Sequence, residues 1–475
     1  MAARAAALKC QVTCYLAITQ GKIPYVDLWD SKGPIIFFIN AVGYYLTGSS
    51  LGIFFVQIIN LTVTCYFILK IYRQEFDSKV STLLLIIALV VLTFVYEGGN
   101  LTEEYALPLL TASFYCFIKW SNQVTAGITV HNPGWTFLYG VCFGFCLLTR
   151  VTNAVGLCVG IVVICAYLVI NKQWKNILQN VVYFCVGLLL IIVPFVIYFW
   201  INGALYEMVY GTVLYNIGYA GASTFQLSSF GISEIVCYLG CYSLYIISGI
   251  SFFKDKERRI ESILWILVAG ITQLWLLRCF GYKHYSMINV PYFCIAMTKL
   301  HRLYKLAGGT WRKRCVQLTV LLMILIGFAG LAKETFDSIQ MFKSYYNDEE
   351  EQSITAGDAV IAMVKRIPEE DRDSFVAYNC YTGLYLQTDI CPCYRYFILQ
   401  SLAAGRNESL LKRVLDKFST GNAEWILVDE CRFAEIQDIL DERYECVEIQ
   451  QNERSMDTFK MYRLKSGAES EISYE

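Results

Sequence analysis

The feature that most constrains this chain is how its charge is spread along it. Up to Lys333 there are 24 Lys+Arg and 12 Asp+Glu in 333 residues; from Glu334 onward there are 15 and 28 in 142. The charged fraction rises from 11% to 30% across that boundary, and the overall net charge of −1 is the sum of +12 and −13. An ordinary soluble domain is about 25% charged. The first part is therefore too poor in charge for a soluble core, and the second is too rich in it for a bilayer. With 56% hydrophobic residues over the whole chain, the composition excludes a disordered chain, a coiled coil and a nucleic-acid binder.

A helix needs roughly 20 mostly apolar residues to cross the hydrocarbon. By that criterion about ten spans are expected, near 51–72, 80–96, 104–120, 135–149, 151–170, 178–201, 232–253, 261–280, 286–304 and 315–333. Every second connection is basic: Lys70, Arg73 and Lys79; Lys172 and Lys175; Lys254, Lys256, Arg258 and Arg259; Lys299, Arg302 and Lys305 fall in or beside connections of one parity. The positive-inside rule makes these cytoplasmic. The other connections and the acidic tail then face outward, which predicts a multi-pass protein of a bacterial cytoplasmic membrane with an extracytoplasmic C-terminal domain. Parity also places residues 1–50 outside. No stretch there is long and apolar enough to carry them across, so a leading span is expected to be missing, and 35–47 reads as an interfacial helix.

The expected fold is mainly α: a polytopic helix bundle over 51–333, preceded by an extracytoplasmic loop over 1–50 with interfacial helices. A small α/β domain follows over 334–475. In that tail, 353–366, 408–418 and 432–442 read as helices, and 374–378, 425–429, 444–449 and 458–463 as strands. The helices open on no glycine-rich phosphate loop, so no nucleotide is expected. Gly140 and Gly144, like Gly156 and Gly160, have small-xxx-small spacing and read as helix contacts. Five tail cysteines, an odd number with Cys391 and Cys393 flanking one proline, do not form a disulfide framework.

The outward loops hold the candidate chemistry. In Gly21–Pro34, Asp27 and Asp30 flank aromatic rings beside Lys32; carboxylates there suit a general base or a divalent cation, against the plainer reading of polar interfacial anchors. Glu103 and Glu104 open an apolar span, where a helix dipole alone favours acids. Arg150 lies between two apolar runs on the side where arginine is disfavoured, a functional hypothesis by default, with snorkelling as its plain alternative. Arg278, Lys283 and His284 gather in one short outward loop, which suits an anionic partner such as a lipid phosphate.

Pro24-Tyr-Val-Asp-Leu-Trp-Asp-Ser-Lys-Gly-Pro34, Glu97-Gly-Gly-Asn-Leu-Thr-Glu-Glu-Tyr105, the stretch Gly144…Arg150…Asn153 and His284-Tyr285 before a proline together resemble bacterial membrane glycosyltransferases of the GT-C superfamily. The closest likeness is to the protein O-mannosyltransferase and aminoarabinose transferase branch. That resemblance implies transfer of a sugar from a polyprenyl-phosphate donor to a glycan, lipid or protein acceptor at the outer membrane face. It implies Asp27, Asp30, Glu103 and Glu104 as candidates for base or metal duty. Lys283, His284, Arg150, Arg278 and Lys32 become candidates for binding the donor phosphate, and a divalent metal ion, held by Asp27, Asp30 or Glu103, becomes a possible cofactor. The chain departs from that pattern in Leu8–Tyr15, which lacks the acid usual upstream of the first motif. Two other classes compete with the enzyme: a transporter or flippase of lipid-linked sugars, and an inactive relative serving as an envelope scaffold.

Overall fold

The computed structural model describes residues 21–216, 232–278, 283–306 and 356–466, apart from short internal stretches, together with isolated positions elsewhere. The expected span at 315–333 lies outside the described residues. The chain divides into two compact units: one of residues 1–53, 199–222 and 344–475, the other of 54–198 and 223–343. The expected partition at 50 and 333 thus gives way to an interleaved one, in which the first loop belongs with the C-terminal region.

In chain order the helices begin with α1 (Pro34–Thr47), α2 (Ser50–Tyr72), α3 (Ser78–Thr93), α4 (Thr102–Thr125), α5 (Pro133–Leu147), α6 (Val155–Ile170) and α7 (Trp174–Ile201). A short α8 (Leu205–Val209) precedes α9 (Ile232–Lys254), α10 (Arg259–Arg278) and α11 (Val290–Leu306). Among the described residues, four helical stretches are long and apolar enough to cross a membrane: Leu51–Tyr72, Val151–Ile170, Trp174–Ile201 and Lys256–Leu277. The expectation of about ten is corrected to these four. The helices α3 and α5 form where expected, but at 16 and 15 residues each reaches only about 23 Å at 1.5 Å per residue, against about 30 Å of hydrocarbon. In α4, Glu103, Glu104, Pro108 and Lys119 interrupt the apolar run, and α11 is cut to 17 residues ending in Lys299, His301, Arg302 and Lys305.

α7 shows what kind of surface these helices present. Only 6% of its apolar window is buried, and Leu178, Val182, Leu189 and Trp200 are exposed. Soluble proteins seldom expose so long an apolar face; hydrocarbon removes that cost. Its pairing with α5 depends on missing side chains: a Cβ on Gly140 would strike the Phe184 carbonyl, and one on Gly187 would strike the Phe137 carbonyl. Close backbone approach of this kind drives helix association in lipid. The bundle core is aromatic, with Phe114 set edge-on to Trp265 at 5.9 Å and to Tyr292 at 5.0 Å.

The other unit carries α12 (Ala356–Lys365), β1 (Phe375–Tyr378), α13 (Gly383–Thr388), α14 (Glu408–Thr420), β2 (Trp425–Asp429), α15 (Gln437–Arg443), β3 (Tyr444–Gln451) and β4 (Thr458–Leu464). The sheet order is β1-β2-β4-β3, with β1 and β2 parallel and the other pairs antiparallel. The expected tail helices and strands are all present within a few residues. α14 buries Leu410, Val414 and Phe418, one face at four-residue spacing, against Val376, Tyr378, Ile426 and Val428 of the sheet.

Candidate functional site

The first loop is tied to this sheet unit. The Trp29 amide donates to the Arg395 carbonyl at 2.9 Å, and the Trp29 ring packs edge-on to Tyr215 at 5.0 Å and against Tyr396 at 6.1 Å. Trp29 and Tyr215 share one buried cluster with Val376, Tyr378 and Ile426. The carboxylates expected to be catalytic here serve the loop itself. Asp27 Oδ2 accepts from the Ile23 amide at 2.7 Å, closing a turn four residues long. Asp30 accepts from the backbone amide and the Nζ of Lys32, both at 3.3 Å. Buried Tyr25 holds φ 69° and donates its hydroxyl to the Lys32 carbonyl at 2.6 Å. A bulky residue in the left-handed region is strained, and this hydrogen bond helps to hold it there.

Glu104 is likewise occupied in shaping its own turn. Its carboxylate accepts from the Tyr96 hydroxyl at 2.5 Å, the Asn100 amide at 2.6 Å and Gln57 Nε2 at 3.1 Å. Gly99 (φ 79°) and Asn100 (φ 56°) supply the left-handed turn that aims that amide. Asn100 is 3% exposed and accepts from Tyr105, so Asn100-Leu-Thr102, which has the form of a glycosylation sequon, leaves no room for a glycan.

Glu103 points elsewhere. It is 1% exposed and accepts from Arg150 Nη1 at 2.6 Å and from the Thr102 hydroxyl at 2.9 Å. Arg150 precedes a single 3-10 turn, Val151–Ala154, and its Nε donates to Thr152 Oγ1 at 2.9 Å. The guanidinium lies 3.3 Å from the centroid of the Tyr285 ring. His284 stands edge-on to Tyr285 at 4.7 Å and within electrostatic reach of Glu103. All of these residues belong to the helical unit. The structure therefore brings together Glu103, Arg150 and His284 of the predicted set, while Asp27, Asp30 and Lys32 belong to the other unit. The side chains of Arg278 and Lys283 lie outside the described residues. Sequence reasoning missed Tyr285 and Thr152 as partners of Arg150 and Thr102 as a partner of Glu103; the Thr-Arg-x-Thr spacing was the available signal for Thr152. Among the described residues no three His, Cys, Asp or Glu side chains gather in a metal-holding set.

Chemically, the site is a partly exposed guanidinium, 24% accessible, held in one orientation by a buried acid, a hydroxyl and a ring. Residues 4–332 match the family model described as the competence-induced Ccs4 N-terminal domain. The chain belongs to the Ccs4 family. No curated protein and no solved structure matches it. Membership in this family overturns the resemblance to GT-C glycosyltransferases and the sugar transfer it implied. The physical reason is visible in the motifs that carried the likeness. The Pro-Tyr-x-Asp-x-Trp loop serves as a dock for the sheet unit, and the Asn-Leu-Thr-Glu-Glu stretch builds a turn around Glu104.

Proposed function

We propose that this Ccs4-family chain is a multi-pass membrane protein whose helical unit binds a phosphate-bearing amphiphile through Arg150, and that it does so in the competence state for which its family is described. The observation that carries the reading is the setting of Arg150: fixed by Glu103, stacked on Tyr285, beside His284, and still reached by solvent. A planar guanidinium fork matches phosphate oxygens, and a ring beneath it lowers the entropy lost when an anion docks. The surrounding apolar helix faces suit the chains of a lipid.

The positive-inside rule supplies sidedness for this reading. The basic connections at 70–79, 254–259 and 299–305 meet at one end of the helical unit, where Arg302 bonds Glu75 at 2.7 Å and Arg258 bonds Asn122 at 2.7 Å. That end is cytoplasmic by the rule. Asn122 and Glu103 sit 19 residues apart on α4, about 28 Å along the axis, so the Arg150 site is at the extracytoplasmic end.

The reading is tested by mild extraction of the full chain and mass spectrometry of what co-purifies. A phosphate-bearing lipid present in the wild type and depleted in Arg150→Lys supports it. Equal lipid content in both overturns it.

A further inference from the structure

The opposite end of the helical unit holds a second cationic cluster that the Arg150 reading does not use. Lys299 is 3% exposed, yet its Nζ lies 3.4 Å from Glu261, itself 3% exposed. Glu261 also receives Arg302 at 2.8 Å and Arg258 at 3.1 Å. Three cations thus surround one buried carboxylate, and Glu75 takes the far side of Arg302 and the Nζ of Lys305.

The donor inventory exceeds what these acids accept. Arg258, Lys299 and Arg302 bring about 13 N–H donors, against roughly eight lone-pair positions on two carboxylates and about two on Asn122 Oδ1, which Arg258 also reaches. Burying ion pairs costs desolvation that their mutual attraction barely offsets, so bundle stability alone is a weak reason for this arrangement. The same three cations line a tight surface crevice that encloses no water-sized space, so an anion would meet them at its rim, together with Ser251, Asp255 and the apolar Leu303 and Leu306. Leu306 and nearby Phe253 are exposed, at 56% and 74%. Cations in a recess beside exposed apolar side chains match an anionic head group with its acyl chains.

We infer that the recess formed by Arg258, Lys299 and Arg302 is a binding site for the head group of an anionic phospholipid in the leaflet at that end of the bundle. The phosphate takes donors from Arg258 and Arg302, and the acyl chains run along Leu303 and Leu306. Asp255 at the rim opposes the head-group charge and sets the affinity at a moderate level.

The test is native mass spectrometry of the full chain in detergent, titrated with dioleoylphosphatidylglycerol or dioleoylphosphatidylcholine. The wild type should retain the anionic lipid at least about tenfold more tightly. Arg258→Gln removes one charge-assisted contact and should cost about tenfold, while Glu261 keeps Lys299 and Arg302 as partners. Asp255→Asn should tighten binding, and Arg150→Lys, at the other end, should leave it unchanged. Equal retention of the two lipids, or an Arg258→Gln protein that binds like wild type, overturns the assignment. Inorganic phosphate that displaces the lipid at matching concentration identifies a free-anion site and overturns the lipid part. Should Arg258→Gln fold poorly, Asp255→Asn decides alone: unchanged affinity counts against the site.

Discussion

Glu103 accepts a hydrogen bond from Arg150 Nη1 at 2.6 Å, pinning the first turn of α4 to a residue 47 positions later. The acid is 1% exposed and the guanidinium 24%. Removing one partner of a fully buried pair costs about 3–5 kcal/mol, and water access at Arg150 reduces this to about 2–3 kcal/mol. Glu103→Gln and Arg150→Gln should each lower the melting midpoint in detergent, and the double variant should lose less than their sum. Strict additivity in that cycle counts against the Glu103–Arg150 contact.

A second expectation concerns Trp29. Its ring sits between Tyr215 and Tyr396 in the core of the sheet unit. Trp29→Ala should destabilise that unit by about 3 kcal/mol or more, whereas Asp27→Asn, altering only a local turn bond, should cost less than about 1 kcal/mol. Limited proteolysis of the tail reads the difference. Equal protection in Trp29→Ala and wild type contradicts the docking.

The contrast between these two residues shows what the sequence made legible. Among the described residues of the tail, periodicity located all four strands and every α-helix except the short α13 (Gly383–Thr388), because alternation and four-residue spacing are local properties that α14 and β2 carry in their own residues. It also located the small-residue contact at Gly140. It did not reveal that the first loop belongs with the sheet unit, since Trp29, Tyr215 and Tyr396 are joined across more than 180 residues and each looks locally like an interfacial aromatic ring. At the site, the misplaced charge of Arg150 was visible in the chain and its acid was among the candidates. That Glu103 and not Glu104 takes it depends on the left-handed turn at Gly99–Asn100, which binds Glu104 first. The number of spans was overestimated because hydropathy counts residues without seeing where a helix stops.

Gly140 provides a third check. A side chain there must push α5 away from the Phe184 carbonyl, at a cost of about 1–3 kcal/mol. Gly249, in the interior of α9, meets nothing within 4 Å, so Gly249→Ala should be neutral or stabilising. Melting midpoints of Gly140→Ala and Gly249→Ala should therefore move apart, and a common shift would sink the close-packing account.

His131 sets a pH dependence. Its Nδ1 lies 2.8 Å from Asn180 Oδ1, and burial holds the imidazole down to about 4. Unfolded, it titrates near 6.5. Between those values the unfolded chain binds more protons, so the contribution is complete above about pH 6.5 and is lost as pH falls toward 4, amounting to about 3 kcal/mol. Melting midpoints between pH 4 and 7 should slope upward in wild type and less so in His131→Asn. Parallel slopes contradict the assignment.

In the tail, burial pushes the Cys393 thiol up to about 12. The thiolate is the nucleophile, so alkylation of Cys393 in the folded protein should stay slow through pH 9, while exposed Cys446 reacts readily. Peptide mapping after maleimide treatment distinguishes them, and equal labelling would refute the half-buried placement of Cys393.

The central claim is that the partly exposed Arg150 guanidinium, held in place by Glu103, Thr152 and Tyr285, binds a phosphate. Its most direct measurement is calorimetric titration of purified wild type and Arg150→Lys with a short-chain phosphatidic acid. Lysine keeps the charge and loses both the fork and the stacking on Tyr285. Binding to the wild type should be saturable and should weaken about tenfold or more in the variant. Equal affinities, or no saturable binding to the wild type, would contradict it.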